Sequence, residues 1–160
     1  MLLCICLRNK KMNSIKFTIP GEPCAQGRPR FSTLGGYVKA IDPVKSRNQK
    51  AFIKYLATTA AKQQGWVYTY LPIHVEIIAY MGIPKSKSKK WRAAAIRGQE
   101  RPTKKPDTDN IFKLVTDALS GVIYADDKQI VSCRVQKWYS EEPRTEVRIV
   151  IVMDEVIKND

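Results

Sequence analysis

The stretch 105–118, KPDTDNIFKLVTDA, combines carboxylates with an apolar pattern of helical spacing. One set of residues recurs at intervals of three and four and predicts the buried side of a helix: Ile111, Phe112, Leu114, Val115, Ala118 and Leu119. A polar set at similar spacing predicts the opposite side: Asp109, Lys113, Thr116, Asp117 and Ser120. Asp107 or Thr108 can cap the start and Gly121 follows the end, so a helix over about 109–119 is predicted.

Segments of alternating apolar and polar residues flank this helix and predict strands over 15–20, 72–80, 122–124, 129–139 and 144–153. Asp42 is predicted to cap a long helix that has Pro43 at its first position and Gly65 as its stop. The predicted apolar side of this helix is Ala51, Phe52, Tyr55, Leu56, Thr59 and Ala60. Ser88 is predicted to cap a short helix that ends near Gly98, and Gly35-Gly36 to form a hairpin tip. The chain of 160 residues is long enough for one domain with a core, assigned to 13–160.

Charge is segregated along the chain. Residues 1–106 contain 21 Lys/Arg and 4 Asp/Glu, whereas residues 107–160 contain 7 and 11. The net charge of +13 indicates nucleic acid or an anionic membrane as the partner. Five of the acids lie between Asp107 and Asp127, where they would repel a polyanion unless a divalent cation is also bound.

The N-terminal segment, the lengths of the apolar stretches and the cysteines argue against several classes of protein. Met1–Leu7 is apolar but is followed, not preceded, by basic residues, so residues 1–12 are interpreted as a disordered extension rather than a secretory signal, with an ordered extra strand as the alternative. A membrane-spanning helix is not expected, because no stretch approaches about 20 apolar residues. Four scattered cysteines without a Cys-x-x-Cys pair, together with a single histidine, exclude structural zinc and are typical of reduced cytoplasmic thiols.

The acidic cluster has the composition of a metal site. Asp107 and Asp109 are two residues apart in a stretch that starts extended, so both carboxylates can converge, and Asp127 can return beside them after one helix and a turn. Mg²⁺ prefers such oxygen ligands and could activate a water at a phosphate. Lys113, one helical turn beyond Asp109, could offset charge in the transition state.

A purely structural interpretation stays open on the same residues. Acids at a helix start cap free amides and favour the helix dipole. Asp109 and Lys113 have the spacing of an ordinary ion pair, and Asp126-Asp127 that of an ordinary turn.

The two runs Lys105–Gly121 and Tyr124–Val131 resemble the RusA family of Holliday-junction resolvases, which are crossover-junction endodeoxyribonucleases of phages and prophages. The similarity extends to Gly27–Phe31, the lysine-rich segment near Trp91 and Glu142–Glu146. It implies an α+β fold, a single two-layer domain whose mixed sheet is packed with helices. It also implies a Mg²⁺-dependent homodimer that makes paired nicks in a four-way junction, with Mn²⁺ as an alternative ion.

The resemblance also implies residue roles. The essential carboxylates fall on Asp107, Asp109 and Asp127, and the catalytic lysine on Lys113. Asp126 is a weaker candidate for a metal ligand. A bacterial cytoplasmic location and a phage or prophage origin are expected.

Basic residues outside the cluster are interpreted as contacts to the DNA backbone, which give affinity rather than base readout: Arg28, Arg30, Lys85, Lys87, Lys89, Lys90, Arg92, Lys104 and Lys105. Trp91 is expected to pack its helix on the sheet, and Asp117 to form a structural salt bridge. Two rival functions remain from the sequence: a non-catalytic DNA-binding protein, and a metal-dependent nuclease for flaps or single strands.

Overall fold

The computed structural model describes residues 13–32 and 36–153. The strands are β1 (Ser14–Pro20), β2 (Arg30–Ser32), β3 (Lys39–Ile41), β4 (Ile73–Gly82), β5 (Ile130–Ser140) and β6 (Arg144–Ile151). The helices are α1 (Val44–Gln64), α2 (Lys89–Ile96) and α3 (Thr108–Leu119), and a single 3-10 turn, Asp127–Gln129, precedes β5. The expected extension over 1–12 lies outside the described residues.

Four strands form a mixed sheet in the order β1-β6-β4-β5. The pair β4–β5 is parallel, whereas β6 is antiparallel to both of its neighbours. Ile73, Val75, Ile77 and Ala79 of β4 are fully buried on the same face, which confirms the alternation predicted there. β2 and β3 form a separate antiparallel hairpin, as predicted, although most of its tip is not described.

Helices α1 and α3 pack against each other, α1 against β1 and α3 against β5. The core between the sheet and these helices includes Ile53, Ile111 and Leu114. This arrangement is the expected α+β fold, a single two-layer domain with a mixed sheet packed with helices. No helix in the described part of the chain combines the length and the apolar character needed to cross a membrane.

The predicted apolar side of α1 was only partly right: Ala60 is buried and Leu56 packs against the core, but the centre of the buried side is shifted by about one position. The buried residues are Ile53, Ala57 and Ala60, whereas Phe52 and Tyr55 are 40% and 66% exposed. The small side chains of the two alanines allow close approach to the rest of the core, which the larger aromatic rings would prevent. The helix does end at Gly65, whose φ of 66° suits glycine.

Three further local predictions differ from the structure. Asp42 does not cap α1, because Pro43 takes the N-cap position and the Asp42 carboxylate instead binds Gln26 and Lys50. The segment 122–124 is a turn rather than a strand, closed by a hydrogen bond from the amide of Gly121 to the carbonyl of Tyr124. Thr116, predicted on the exposed side of α3, is only 3% exposed.

Candidate active site

Asp107 and Asp109 stand at the start of α3 with exposed carboxylates. Asp107 occupies the N-cap position with an extended backbone (φ −78°, ψ 150°), yet its side chain makes no capping hydrogen bond. Asp109 lies in the first helical turn. The helix dipole favours both negative charges there. The capping role that the sequence allowed for Asp107 is therefore not used.

Lys113 is exposed on the turn of α3 that follows Asp109. Within the described residues, the ion pairs shorter than 4.0 Å involve neither Lys113 nor the two aspartates at the start of the helix. The alternative of an ordinary Asp109–Lys113 pair is not realised. Both carboxylates and the ammonium remain open to a ligand.

Asp127 is held by the buried Tyr124. The Tyr124 hydroxyl lies 3.0 Å from Oδ1 of Asp127 and 3.2 Å from the carbonyl oxygen of Thr116 on α3. Burial and the nearby charge of Asp127 raise the pKa of Tyr124 above its usual value, so the hydroxyl stays protonated. Because a hydroxyl has one proton, it donates to one of these acceptors at a time. The contact fixes Asp127 beside the middle of α3.

Asp126 has a different environment. Its carboxylate accepts a hydrogen bond from the amide of Lys128 at 2.9 Å, and Gln129 Oε1 accepts one from the amide of Asp126 at 2.9 Å. These two bonds form a capping box at the 3-10 turn. The ordinary turn role is thus filled by Asp126, whereas the Asp127 carboxylate is bound by Tyr124.

The candidate site extends along α3 and β5. A groove of about 300 Å³ contains Asp127 and is lined by Phe112, Thr116 and the first residues of β5, 130–133. At the other end, the carbonyl of Pro106 is bound by Lys137 near the end of β5. The start of α3 therefore lies beside the second half of β5, and its middle beside the first half.

The three predicted ligands do not form a closed cluster. Across the described ranges 13–32 and 36–153, no group of three or more His, Cys, Asp or Glu side chains is close enough to hold a metal ion. Asp109 and Thr116 are seven residues apart, which is about 10 Å along a helix. Asp107 and Asp109 share the helix start, whereas Asp127 lies further along. The exposed, hard oxygen donors of the first pair still fit Mg²⁺, which keeps several waters.

A second cleft, of about 540 Å³, opens beside Asp107. Its lining includes the 23–28 loop, the start of α1 and the segment 105–107, and it brings Arg28 and Lys105 close to Asp107. Gly27 packs so tightly there that a β-carbon would lie 2.8 Å from Cγ of Pro43. Its amide donates to the hydroxyl of Ser46 at 3.0 Å. The basic loop is thereby fixed against α1.

A polar network joins this loop to both helices. Gln26 Nε2 lies 3.0 Å from Asp42, and the ammonium of Lys50 lies 2.9 Å from Asp42 and 2.8 Å from Asp117. The hydrogen bond from Lys50 is the main cause that lowers the pKa of Asp42. The salt bridge predicted for Asp117 is confirmed, with Lys50 as its partner.

The remaining basic residues are distributed over several elements. Exposed cations are Arg28, Lys85, Lys87, Lys89, Lys90, Lys104 and Lys105, whereas Arg92 is half-buried. Arg30 begins β2, and nothing is described of its side chain. Trp91 packs edge-on against Tyr139 of β5 at 5.3 Å between ring centroids, as expected, and Lys87 lies 4.8 Å above its ring.

Sequence reasoning missed three supporting residues: Tyr124, Gln129 and Lys137. Tyr124 is fully buried in the core. Gln129 binds Ala125 and Asp126 through its oxygen and the carbonyls of Thr69 and Leu71 through its nitrogen. A buried tyrosine three residues before Asp127 was the one local signal, whereas nothing nearby in the sequence marks Lys137.

The fold and site define a basic, single-domain α+β protein with acidic residues and a lysine on an exposed face of one helix. The chain belongs to the family described as Endodeoxyribonuclease RusA, whose model matches residues 20–150. It is also similar to "Uncharacterized protein YqaN" of Bacillus subtilis (strain 168). The two are 47% identical over 140 residues, which cover 86% of this chain and 96% of that protein.

Proposed function

We propose that this protein is a Holliday-junction resolvase that makes paired, symmetric nicks in four-way DNA junctions with the help of Mg²⁺. Family membership supports the endodeoxyribonuclease activity. The observation that carries the proposal is the set of exposed charges at the start of α3, because Asp107, Asp109 and Lys113 have no ion pair among the described residues. Carboxylates without a structural partner, in a chain of net charge +13, suit a phosphate held together with a cation.

The proposed ligands of Mg²⁺, or Mn²⁺ as the alternative, are Asp107, Asp109 and Asp127, with Asp126 a weaker candidate. Because the three carboxylates are not clustered without a metal, binding of the ion would have to draw Asp127 toward the pair at the start of α3. The ion would supply positive charge at the phosphate and lower the pKa of a bound water. Lys113 donates a hydrogen bond to a phosphate oxygen and offsets the charge that develops in the transition state. Tyr124 holds the Asp127 carboxylate in one orientation.

Junction binding is assigned to the basic surface. Arg28 and Lys105 border the cleft beside Asp107, where they can contact the backbone near the cut. We also assign backbone contacts to Lys85, Lys87, Lys89, Lys90, Arg92 and Lys104, and we include Arg30 by its place in the sequence. Such contacts bind phosphates without reading bases.

Paired nicks require two active sites, so we propose a homodimer whose twofold axis matches the approximate symmetry of the junction. An exposed apolar run after α1 offers a surface for that contact: Val67, Tyr68, Tyr70 and Leu71. A chromosomal or phage DNA substrate implies a location in the bacterial cytoplasm.

The test is nicking of a synthetic four-way junction in Mg²⁺, with EDTA as the control. Asp109→Asn should bind the junction and fail to cut it, whereas Glu141→Gln, which removes an exposed carboxylate from the β5–β6 turn, should cut normally. Wild-type cleavage by Asp109→Asn would contradict the site. Equal cleavage of flaps or single strands would favour the broader nuclease, and binding without any cleavage would favour a non-catalytic DNA-binding protein.

A further inference from the structure

Lys137 of β5 holds the backbone that leads into the Asp107–Asp109 pair. Its ammonium lies 2.9 Å from the carbonyl oxygen of Lys104 and 3.0 Å from that of Pro106. Pro106 immediately precedes Asp107. One side chain thus binds two acceptors of the same short segment. Such paired contacts restrict both the position and the direction of the chain as it enters α3.

The strand that carries Lys137 is itself firmly held. Lys137 lies opposite Ala79 of β4, which is fully buried in the sheet. Its carbonyl oxygen accepts a hydrogen bond from Nε of Arg101 at 2.8 Å, and the Arg101 guanidinium stacks 3.4 Å from the Trp138 ring centroid. The two hydrogen bonds of Lys137, called the Lys137 clamp below, therefore attach the irregular segment 104–106 to a rigid strand of the sheet.

We propose that Lys137 is a positioning residue that presents Asp107 and Asp109 to the metal ion; this inference rests on the proposed function. Asp107 comes directly after this held segment and has an extended N-cap backbone. Loss of the ammonium frees the 104–106 segment and removes the cation that binds the residue before Asp107. Metal affinity should then fall, because the carboxylates must be ordered and brought together during binding.

A direct contact between Lys137 and DNA is the competing role. An ammonium has three N–H donors, and two of those of Lys137 are directed at backbone carbonyls. A phosphate contact would have to replace or share these bonds. The two roles differ in a measurable way, since positioning alters metal binding without DNA and a phosphate contact alters DNA binding without metal.

The experiment compares wild type, Lys137→Met and Lys137→Arg by calorimetric titration with Mn²⁺ in the absence of DNA. Junction affinity is measured separately in EDTA. Arg134→Met is the matched control, because it removes a cation from the same strand while its side chain lies near Glu76, 3.7 Å away. Circular dichroism checks folding, and Lys137→Gln replaces the Met variant if that variant does not fold.

We expect Mn²⁺ affinity to fall about tenfold in Lys137→Met, as for other partners that orient metal ligands. Lys137→Arg should recover part of the loss, and Arg134→Met should stay within about twofold of wild type. Equal Mn²⁺ affinity in wild type and Lys137→Met would overturn the positioning role but not the proposed metal site. A loss confined to junction affinity would do the same. A wild-type protein that binds no Mn²⁺ would overturn this inference together with the proposed metal site.

Discussion

The hydroxyl of Tyr124 lies 3.0 Å from Oδ1 of Asp127 and is fully buried behind it. The same hydroxyl also reaches the carbonyl of Thr116 at 3.2 Å, so a single oxygen links the turn after α3 to the helix itself. Asp127 is therefore oriented by the core, although its carboxylate opens into a surface groove. A carboxylate on a turn would otherwise sample many directions.

Tyr124→Phe removes this link while preserving the buried ring. We expect junction cleavage to slow about tenfold or more, because partners that orient functional carboxylates commonly contribute that much. The free energy of unfolding should fall by about 1–2 kcal/mol, since the carbonyl of Thr116 loses a buried donor. Single-turnover cleavage and urea unfolding measure the two effects.

Tyr55→Phe is the matched control for Tyr124→Phe, because the Tyr55 ring on α1 is 66% exposed. It should leave both cleavage and unfolding close to wild type. If Tyr124→Phe lowered stability but left cleavage unchanged, the hydroxyl would serve the fold alone.

Lys113→Ala tests the second charged group on α3. Removal of the ammonium should slow cleavage at saturating junction by about a hundredfold, which is typical for the loss of one group that stabilises transition-state charge. Junction affinity in EDTA should change by less than about threefold. Lys62→Ala, in the last turn of α1, removes another exposed lysine as the control. Comparable losses in rate and affinity would make Lys113 a phosphate clamp.

The sequence predicted α3, β4 and β6 well because their periodic patterns match single buried faces. It failed on α1, where Phe52 and Tyr55 carry more apolar surface than Ala57 but remain exposed. Hydrophobicity alone does not determine which side of a helix is buried when small residues allow closer packing. The strand predicted at 122–124 failed for a related reason, because a short apolar run also fits a buried turn.

The candidate site could be predicted only where its residues lie close together in the sequence. Asp107, Asp109 and Lys113 share one helix, and their spacing places them on adjacent turns. The Lys137 clamp joins residues 31 positions apart, and the Lys50–Asp117 bridge joins residues 67 apart. No periodicity encodes such pairs, because they depend on the order of strands in the sheet. The separation of Asp127 from Asp109 could not be predicted either. It follows from the contact that Tyr124 makes with both Asp127 and Thr116, since Thr116 lies about 10 Å along α3 from Asp109.

Lys50 links α1 to α3 and to the residues that hold the basic loop, so Lys50→Met should destabilise the protein. It leaves Asp42 and Asp117 without their shared cation, and their side chains are 28% and 29% exposed. We expect a loss of about 1–2 kcal/mol at pH 7, between the values for exposed and buried pairs. Urea unfolding measures it, with Lys54→Met one turn along α1 as the control.

The pH dependence of that loss follows from two shifts. The pKa of Asp42 is lowered in the folded protein, so its contribution is present at neutral pH and is lost as the pH falls below about 4. The pKa of Lys50 is raised by its hydrogen bonds to Asp117 and Asp42, which outweigh the opposing effect of burial. Its contribution is present below about pH 10.5 and is lost as the pH rises beyond that. The difference between wild type and Lys50→Met should be constant from pH 5 to about 9 and shrink in acid; a difference unchanged at pH 3 would contradict the ionic origin.

The lysine-rich segment before and within α2 should contribute affinity that depends on salt. Lys85, Lys87, Lys89 and Lys90 are all exposed, and the Ser88 hydroxyl accepts a hydrogen bond from the amide of Trp91 at 3.3 Å, which fixes the start of α2 beneath them. Replacing the four lysines by alanine should reduce the slope of log affinity against log salt by up to about 3.6, because each phosphate that a lysine neutralises adds roughly 0.9 to that slope. Junction binding in EDTA between about 50 and about 200 mM salt measures the slope. Lys54→Ala with Lys62→Ala, on the exposed side of α1, should leave it nearly unchanged. An unaltered slope in the fourfold variant would remove this segment from the DNA-binding surface and leave Arg28 and Lys105, beside Asp107, as the principal cations that bind the junction.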